Sequence, residues 1–294
     1  MSLHKGSVSG ASECCVQQNF KTWADAARRR EGYMEQFGSF VVEVDTEGVA
    51  LVTFDRPPVN AVSIAVYEDM VRLAGRLESD GQVKAVVLTA LPGARAWCGG
   101  ADLHDFRGMD SARRKARYEF VNAALSGFAA IGRPTIAAIN GPVVGVGMIL
   151  AGLCDMRVAS SAATFACPEI DYGLVAGGGG VFALARMPEA KVREMLFTGA
   201  RFTASELAST GFFNYVVDSC KVRSVAMALA GRIAAKSLPA IVARKRACIA
   251  TEGLSWMDAY LAAQALSATL AGKPDGEEGV AAFLEKRSAR YEER

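Results

Sequence analysis

Glu169 stands in the segment Thr164-Phe165-Ala166-Cys167-Pro168-Glu169-Ile170-Asp171-Tyr172-Gly173-Leu174, between a proline and an isoleucine. A carboxyl group in an apolar cleft has a raised pKa, which suits it to move a proton near neutral pH. The same residue also reads as a helix cap or a surface ion pair. Two glycine-containing junctions bring a different chemistry. Val86-Val87-Leu88-Thr89 leads to Trp97-Cys98-Gly99-Gly100-Ala101-Asp102-Leu103, and Ile136-Ala137-Ala138-Ile139 leads to Asn140-Gly141-Pro142-Val143-Val144-Gly145-Val146-Gly147. A helix starting at either place has unpaired backbone N–H groups and the positive end of its dipole. Glycines such as Gly100, Gly145 and Gly147 let a ligand approach that backbone closely. Two such N–H groups aimed at one point make an oxyanion hole for a carbonyl becoming an enolate. Taken singly, each loop equally reads as a tight turn with close packing, and spacing along the chain does not bring them together.

Other chemistries lack their residues. The only histidines are His4 and His104, with no HExxH, so a metal site is not expected. No GxSxG elbow, Walker A loop or GxGxxG fingerprint is present. The 33 basic and 31 acidic residues leave a net charge of +2, which gives no support for nucleic-acid binding. No apolar run reaches the roughly 18 residues of a membrane span, and the N-terminus has no apolar h-region. The seven cysteines, Cys14, Cys15, Cys98, Cys154, Cys167, Cys220 and Cys248, are scattered without CxxC spacing. They read as reduced thiols, mostly small core hydrophobes, of a cytoplasmic protein.

The elements that must hold these residues follow from periodicity. Residues 1–35 are polar and rich in small residues, with Arg28-Arg29-Arg30, and read as an N-terminal extension; Met34 is a candidate natural start. Phe40 to Val44 and Val49 to Phe54 alternate as strands about Glu47-Gly48, a hairpin signal. Apolar residues from Ile64 to Leu77 recur at helical spacing, Ala85 to Leu88 forms a buried strand, and a helical pattern covers Ala112 to Ile131. Pro134 ends it, and Thr135 to Ile139 is another buried strand. This alternation predicts an α/β core over residues 36–220. From Lys221 to 294 the pattern is helical, with Val222, Val225, Ala226, Leu229 and Ile233 as one stripe.

Taken together, the segments resemble the enoyl-CoA hydratase/isomerase (crotonase) superfamily over about residues 38–290. The motifs that carry the likeness are Phe54-Asp55-Arg56-Pro57-Pro58-Val59-Asn60-Ala61, Cys98 to Leu103, Pro134 to Gly141, Cys154-Asp155-Met156-Arg157, Phe165 to Gly173, Leu196-Phe197-Thr198-Gly199 and Gly279 to Arg287. The resemblance implies a spiral of ββα units, then C-terminal helices that pack between subunits as trimers or pairs of trimers. It implies an acyl-CoA substrate and no separate cofactor, since coenzyme A is part of the substrate. It places the oxyanion-hole donors on Ala101 and Val146, the latter where the family usually has glycine.

By the same resemblance Glu169 matches one of two catalytic glutamates of family hydratases, while the other position holds Ile149. Two carboxylates hold and activate water in a hydratase. Family isomerases manage with one, which carries a proton between two carbons. The Pro57-Pro58-Val59-Asn60 turn looks like that of some isomerases and multifunctional members, and the aspartate of a dienoyl isomerase is absent near Gly177. Phe283 and Lys286 match positions that meet the adenine or its phosphate, often from a neighbouring subunit, and equally read as exposed helix residues. His104 reads as a substrate or phosphate contact or as a solvated surface residue, and Asp102 as compensating a helix dipole. Gly177 to Gly180 reads as a loop over the acyl pocket, whose lining falls after Arg107 and around Met148 and Tyr172. Three alternatives stay open: thioester hydrolysis, carbon–carbon cleavage of an acyl-CoA, and a non-catalytic acyl-CoA-binding homologue.

Overall fold

The computed structural model describes residues 32–175 and 187–292. The expectations for residues 1–31 and for Gly177 to Gly180 lie outside them. The main sheet has seven strands: β1 (Tyr33–Phe37), β2 (Phe40–Val44), β3 (Val49–Phe54), β4 (Ala85–Ala90), β5 (Thr135–Ile139), β7 (Met156–Ser160) and β10 (Tyr215–Val217), in that spatial order. The first three pair antiparallel and the rest parallel. β3, β4 and β5 are buried at every residue, as strands covered on both faces must be. A second sheet joins β6 (Val143–Val144), β8 (Thr164–Ala166) and β9 (Phe202–Thr203).

On one face of the main sheet lie α1 (Ile64–Ser79), α2 (Ser111–Ala129) and the short α3 (Val146–Leu153), within the larger apolar core. α1 buries Val66, Met70, Leu73 and Leu77, a helical stripe. Two short helices, α4 (Glu189–Thr198) and α5 (Ala204–Leu207), precede β10. The opposite face is covered by α6 (Val222–Ala234), whose Val222, Ala226, Ala230 and Ala234 pack on Leu51, Val87, Ile136 and Val158. The last helices are α7 (Leu238–Ala250), α8 (Trp256–Ala268) and α9 (Pro274–Leu284).

Two details move the boundaries set by periodicity. β1 begins at Tyr33, ahead of residue 36, and takes in Met34, which is 73% exposed. An edge strand reading Tyr-Met-Glu-Gln-Phe has too few inward apolar residues to be recognised. The change of pattern at Lys221 is not a change of body, because α6 is packed on the sheet. Its buried positions are mostly alanines, small enough for close approach, so the apolar stripe understated how fully this helix is covered. α8, by contrast, buries no residue, and Trp256, Tyr260 and Leu261 are exposed.

Candidate active site

Three short segments run side by side and deliver the three candidate positions. Cys98 bridges Val143, and the Val144 N–H donates to the Cys98 carbonyl at 2.9 Å. β6 in turn pairs with β8, Val143 opposite Phe165 and Val144 opposite Ala166. A few residues beyond this ribbon the chains reach Ala101, Val146 and Glu169. Sequence spacing could not bring the loops together; the ribbon does.

Each chain is held to a tight turn there. Gly100 has φ +98°, and a Cβ on it would lie 3.2 Å from the Val144 carbonyl oxygen. Gly145, the residue before α3, has φ +53° and ψ −116°, a conformation essentially restricted to glycine. Val146 is the first helical residue, outside the positive-φ region, so its side chain is no obstacle. Among the described residues neither the Ala101 nor the Val146 N–H donates to a protein acceptor. Gly147 packs on Cys98, where a Cβ would come 2.9 Å from the Cys98 side chain.

The first loop is tied down by Asn60, which is 2% exposed. Its amide donates to the Ala96 carbonyl at 3.1 Å and the Trp97 carbonyl at 3.3 Å, and its oxygen accepts from the Arg56 N–H at 2.8 Å. The far end of α3 is held by the buried Arg157, whose guanidinium donates to the carbonyls of Cys154 (2.6 Å) and Ala151 (3.2 Å). A cation at a helix C-terminus suits the dipole. Two of the resemblance motifs thus act by positioning.

Glu169 lies on a 3-10 turn, Pro168–Tyr172, that follows β8. Its carboxyl group lies close to the Gly145 Cα, since a Cβ there would be 2.5 Å from Oε1. Oε2 is buried without a hydrogen-bond partner. Burial pushes its pKa up from the ordinary value of 4.5, because a carboxylate there loses hydration. Glu169 lines a narrow cleft of about 90 Å³ together with Ala101, Gly145, Val146 and Ile149. The other wall is the face of α2 carrying Arg114, Arg117, Tyr118, Val121, Asn122 and Leu125, with Tyr67, Leu103, Phe106, Leu174 and Val175 completing it. Glu169 is the one carboxylate among the described lining residues.

Other expected site residues fall elsewhere. Asp102 starts a 3-10 turn, Leu103–Phe106, by accepting the His104 N–H, and pairs with Arg56 at 2.8 Å. The bonds from Arg56 and His104 hold its pKa down to about 2. The His104 side chain is 90% exposed and rests on Asp102 at 2.9 Å. Neither residue lines the cleft. Phe283 is exposed near the end of α9, and Lys286 follows it; neither meets the cleft within one chain. Met148 is buried in the core and Tyr172 is exposed in a separate groove, so the lining does not run around them. Residues after Arg107 do line it, and two of those on α2, Arg114 and Arg117, are charged. Their signal was present as the spacing 114, 117, 118, 121, 125 along one helical face.

A profile described as enoyl-CoA hydratase/isomerase matches residues 45–294. The carnitinyl-CoA dehydratase of Proteus mirabilis is 33% identical over 267 residues, covering 86% of this chain and 98% of that protein. The short-chain-enoyl-CoA hydratase of Clostridium acetobutylicum is 30% identical over 251 residues, covering 84% and 95%. The crystal structure of an enoyl-CoA hydratase from Mycobacterium smegmatis superposes with a TM-score of 0.80 at 30% identity, covering 87% of this chain and 99% of that one.

Proposed function

The chain belongs to the enoyl-CoA hydratase/isomerase family and has the crotonase fold, and from that premise we propose that it shifts the double bond of an enoyl-CoA thioester with Glu169 as its single acid/base. The observation that carries this is the pairing of one half-buried carboxyl group, whose Oε2 is shielded from solvent, with Ile149 in the same cleft. Glu169 removes a proton from C2 of a 3-enoyl thioester. Electron density moves onto the thioester oxygen, which the Ala101 and Val146 N–H groups stabilise. The same carboxyl group returns the proton at C4 as the electrons flow back, giving the 2-enoyl isomer with no net gain or loss of atoms. Isoleucine neither holds a water molecule nor moves a proton, so water addition lacks its second carboxylate. The names of the relatives favour hydration as the second reading.

The two separate by product. Incubation with 3-hexenoyl-CoA and 2-hexenoyl-CoA, followed by NMR, is expected to give 2-hexenoyl-CoA from the first and little 3-hydroxyhexanoyl-CoA from either. Rapid, near-complete hydration would overturn the single-carboxylate reading. With this activity go a cytoplasmic location and a homotrimer or dimer of trimers. Support for the assembly comes from the exposed apolar residues Trp256, Tyr260, Leu261, Phe283 and Leu284 on α8 and α9. In such an assembly Phe283 and Lys286 would reach the coenzyme A of a neighbouring subunit. Sedimentation equilibrium reads the subunit number.

A further inference from the structure

We propose that the cleft takes an acyl group bearing a carboxylate at its far end, with Arg114 as the residue that selects it. This deepens the acyl-CoA reading above and rests on it. The cleft wall on α2 is built from one helical face, Arg114, Arg117, Tyr118, Val121 and Leu125. At 1.5 Å rise per residue the face extends about 16 Å from Arg114 to Leu125. It is cationic at its N-terminal end and, Asn122 apart, apolar farther on.

The two arginines differ in what they face. Arg117 is buried and already paired, its Nη1 2.9 Å from Asp105, which also accepts the Ile64 N–H at 2.9 Å. Arg114 is half-buried and donates from Nε to the Tyr118 hydroxyl at 3.0 Å. Its guanidinium lies 5.0 Å from the Phe106 ring centroid, and that of Arg117 lies 4.8 Å from the same ring. Among the described residues Arg114 has no carboxylate partner. Residues 176–186, which follow the lining residues Leu174 and Val175, include no Asp or Glu. The one carboxyl in the lining, Glu169, is held toward its neutral form by burial.

An arginine keeps its charge at any working pH, and a half-desolvated cation without a counter-ion is unfavourable. The Tyr118 hydroxyl holds Nε, and the guanidinium carbon lies over the Phe106 ring. The terminal nitrogens remain for a planar, two-oxygen acceptor. A carboxylate fits that fork in bidentate fashion. Val121, Leu125, Ile149, Leu174 and Val175 supply apolar wall for the hydrocarbon between thioester and carboxylate.

The test is titration calorimetry of the wild-type protein with glutaryl-CoA, pentanoyl-CoA and free coenzyme A. The first two share a five-carbon chain and differ in their ends. Neither carries a double bond, so binding is read without turnover. Glutaryl-CoA is expected to bind at least about tenfold more tightly than pentanoyl-CoA, the size of one charged hydrogen-bonded contact. Arg114→Gln is expected to abolish that preference while leaving pentanoyl-CoA and coenzyme A within about twofold. Arg114→Lys keeps charge without the fork and should retain part of it. Equal affinity of the two esters for wild type, or a preference that survives in Arg114→Gln, overturns the inference and leaves the acyl-CoA reading standing. Equal weakening of all three ligands by Arg114→Gln also overturns it, by assigning Arg114 to a coenzyme A phosphate. If none of the three binds wild type, the acyl-CoA reading falls and takes the inference with it.

Discussion

Replacing Gly145 by alanine should disable the site while leaving the protein folded. The substitution meets two obstacles at once. The backbone there has φ +53° and ψ −116°, and an alanine forced into so sparsely populated a region costs about 1–3 kcal/mol. The new Cβ would also stand 2.5 Å from Glu169 Oε1, 3.4 Å from its Cδ and 3.8 Å from the Gly100 Cα. Contacts between heavy atoms of this kind settle nearer 3.5 Å, so the carboxyl group must retreat by about 1 Å. A misplacement of about 1 Å at a reacting group lowers turnover on the order of 10²-fold. At about 2 kcal/mol the loss of stability should lower Tm by roughly 4–8 °C. Gly127→Ala is the control, because that helical glycine has open space around it and should gain about 0.5–1 kcal/mol. The assay is kcat for 3-hexenoyl-CoA beside a thermal melt. A Gly145→Ala enzyme with kcat within threefold of wild type would refute the placement of Glu169 against this glycine.

Other substitutions probe charge. Glu169 has a folded pKa raised above its ordinary value, so its stabilising contribution is complete at acid pH and is lost as pH rises through the folded pKa. Glu169→Gln should therefore raise Tm at pH 8, and the difference should shrink as the pH falls toward 4.5. Asp102 is the opposite case. Its pKa is lowered to about 2, so its contribution is present above the ordinary value of 3.8 and lost as pH falls through about 2. Asp102→Asn should destabilise the protein at pH 7 by about 1 kcal/mol, in denaturant melts, with the gap closing in acid. Ile149→Glu adds a second carboxyl to the cleft, and like charge raises the pKa of Glu169 further. The kcat–pH profile should shift to higher pH, and 3-hydroxyhexanoyl-CoA should become detectable by NMR.

Much of the core was legible because buried parallel strands are short apolar runs. Thr135 to Ile139 matches β5 residue for residue, and the Glu47-Gly48 hairpin joins β2 and β3. The residues Ala101, Val146 and Glu169 were legible singly, each with an ordinary structural reading beside the chemical one. Their convergence was not, because it depends on hydrogen bonds between segments about 20 to 70 residues apart, such as Val144 to Cys98 and Gly145 to Ala166. The cationic wall was missed for a different reason. The helical pattern over Ala112 to Ile131 did not single out Arg114 and Arg117, and only the Asp105 pair and the Phe106 ring show that they turn inward. Phe283 and Lys286 do not line the cleft in one chain, so the contact proposed for them requires the proposed assembly.

The most direct test of Glu169 as the single acid/base is turnover of 3-hexenoyl-CoA by Glu169→Gln, with the affinity for pentanoyl-CoA measured on the same sample. Loss of a general acid/base is expected to lower kcat by about 10²–10⁴-fold while ester binding stays within a few-fold of wild type. A Glu169→Gln enzyme that binds the ester and turns over 3-hexenoyl-CoA within tenfold of wild type would contradict it.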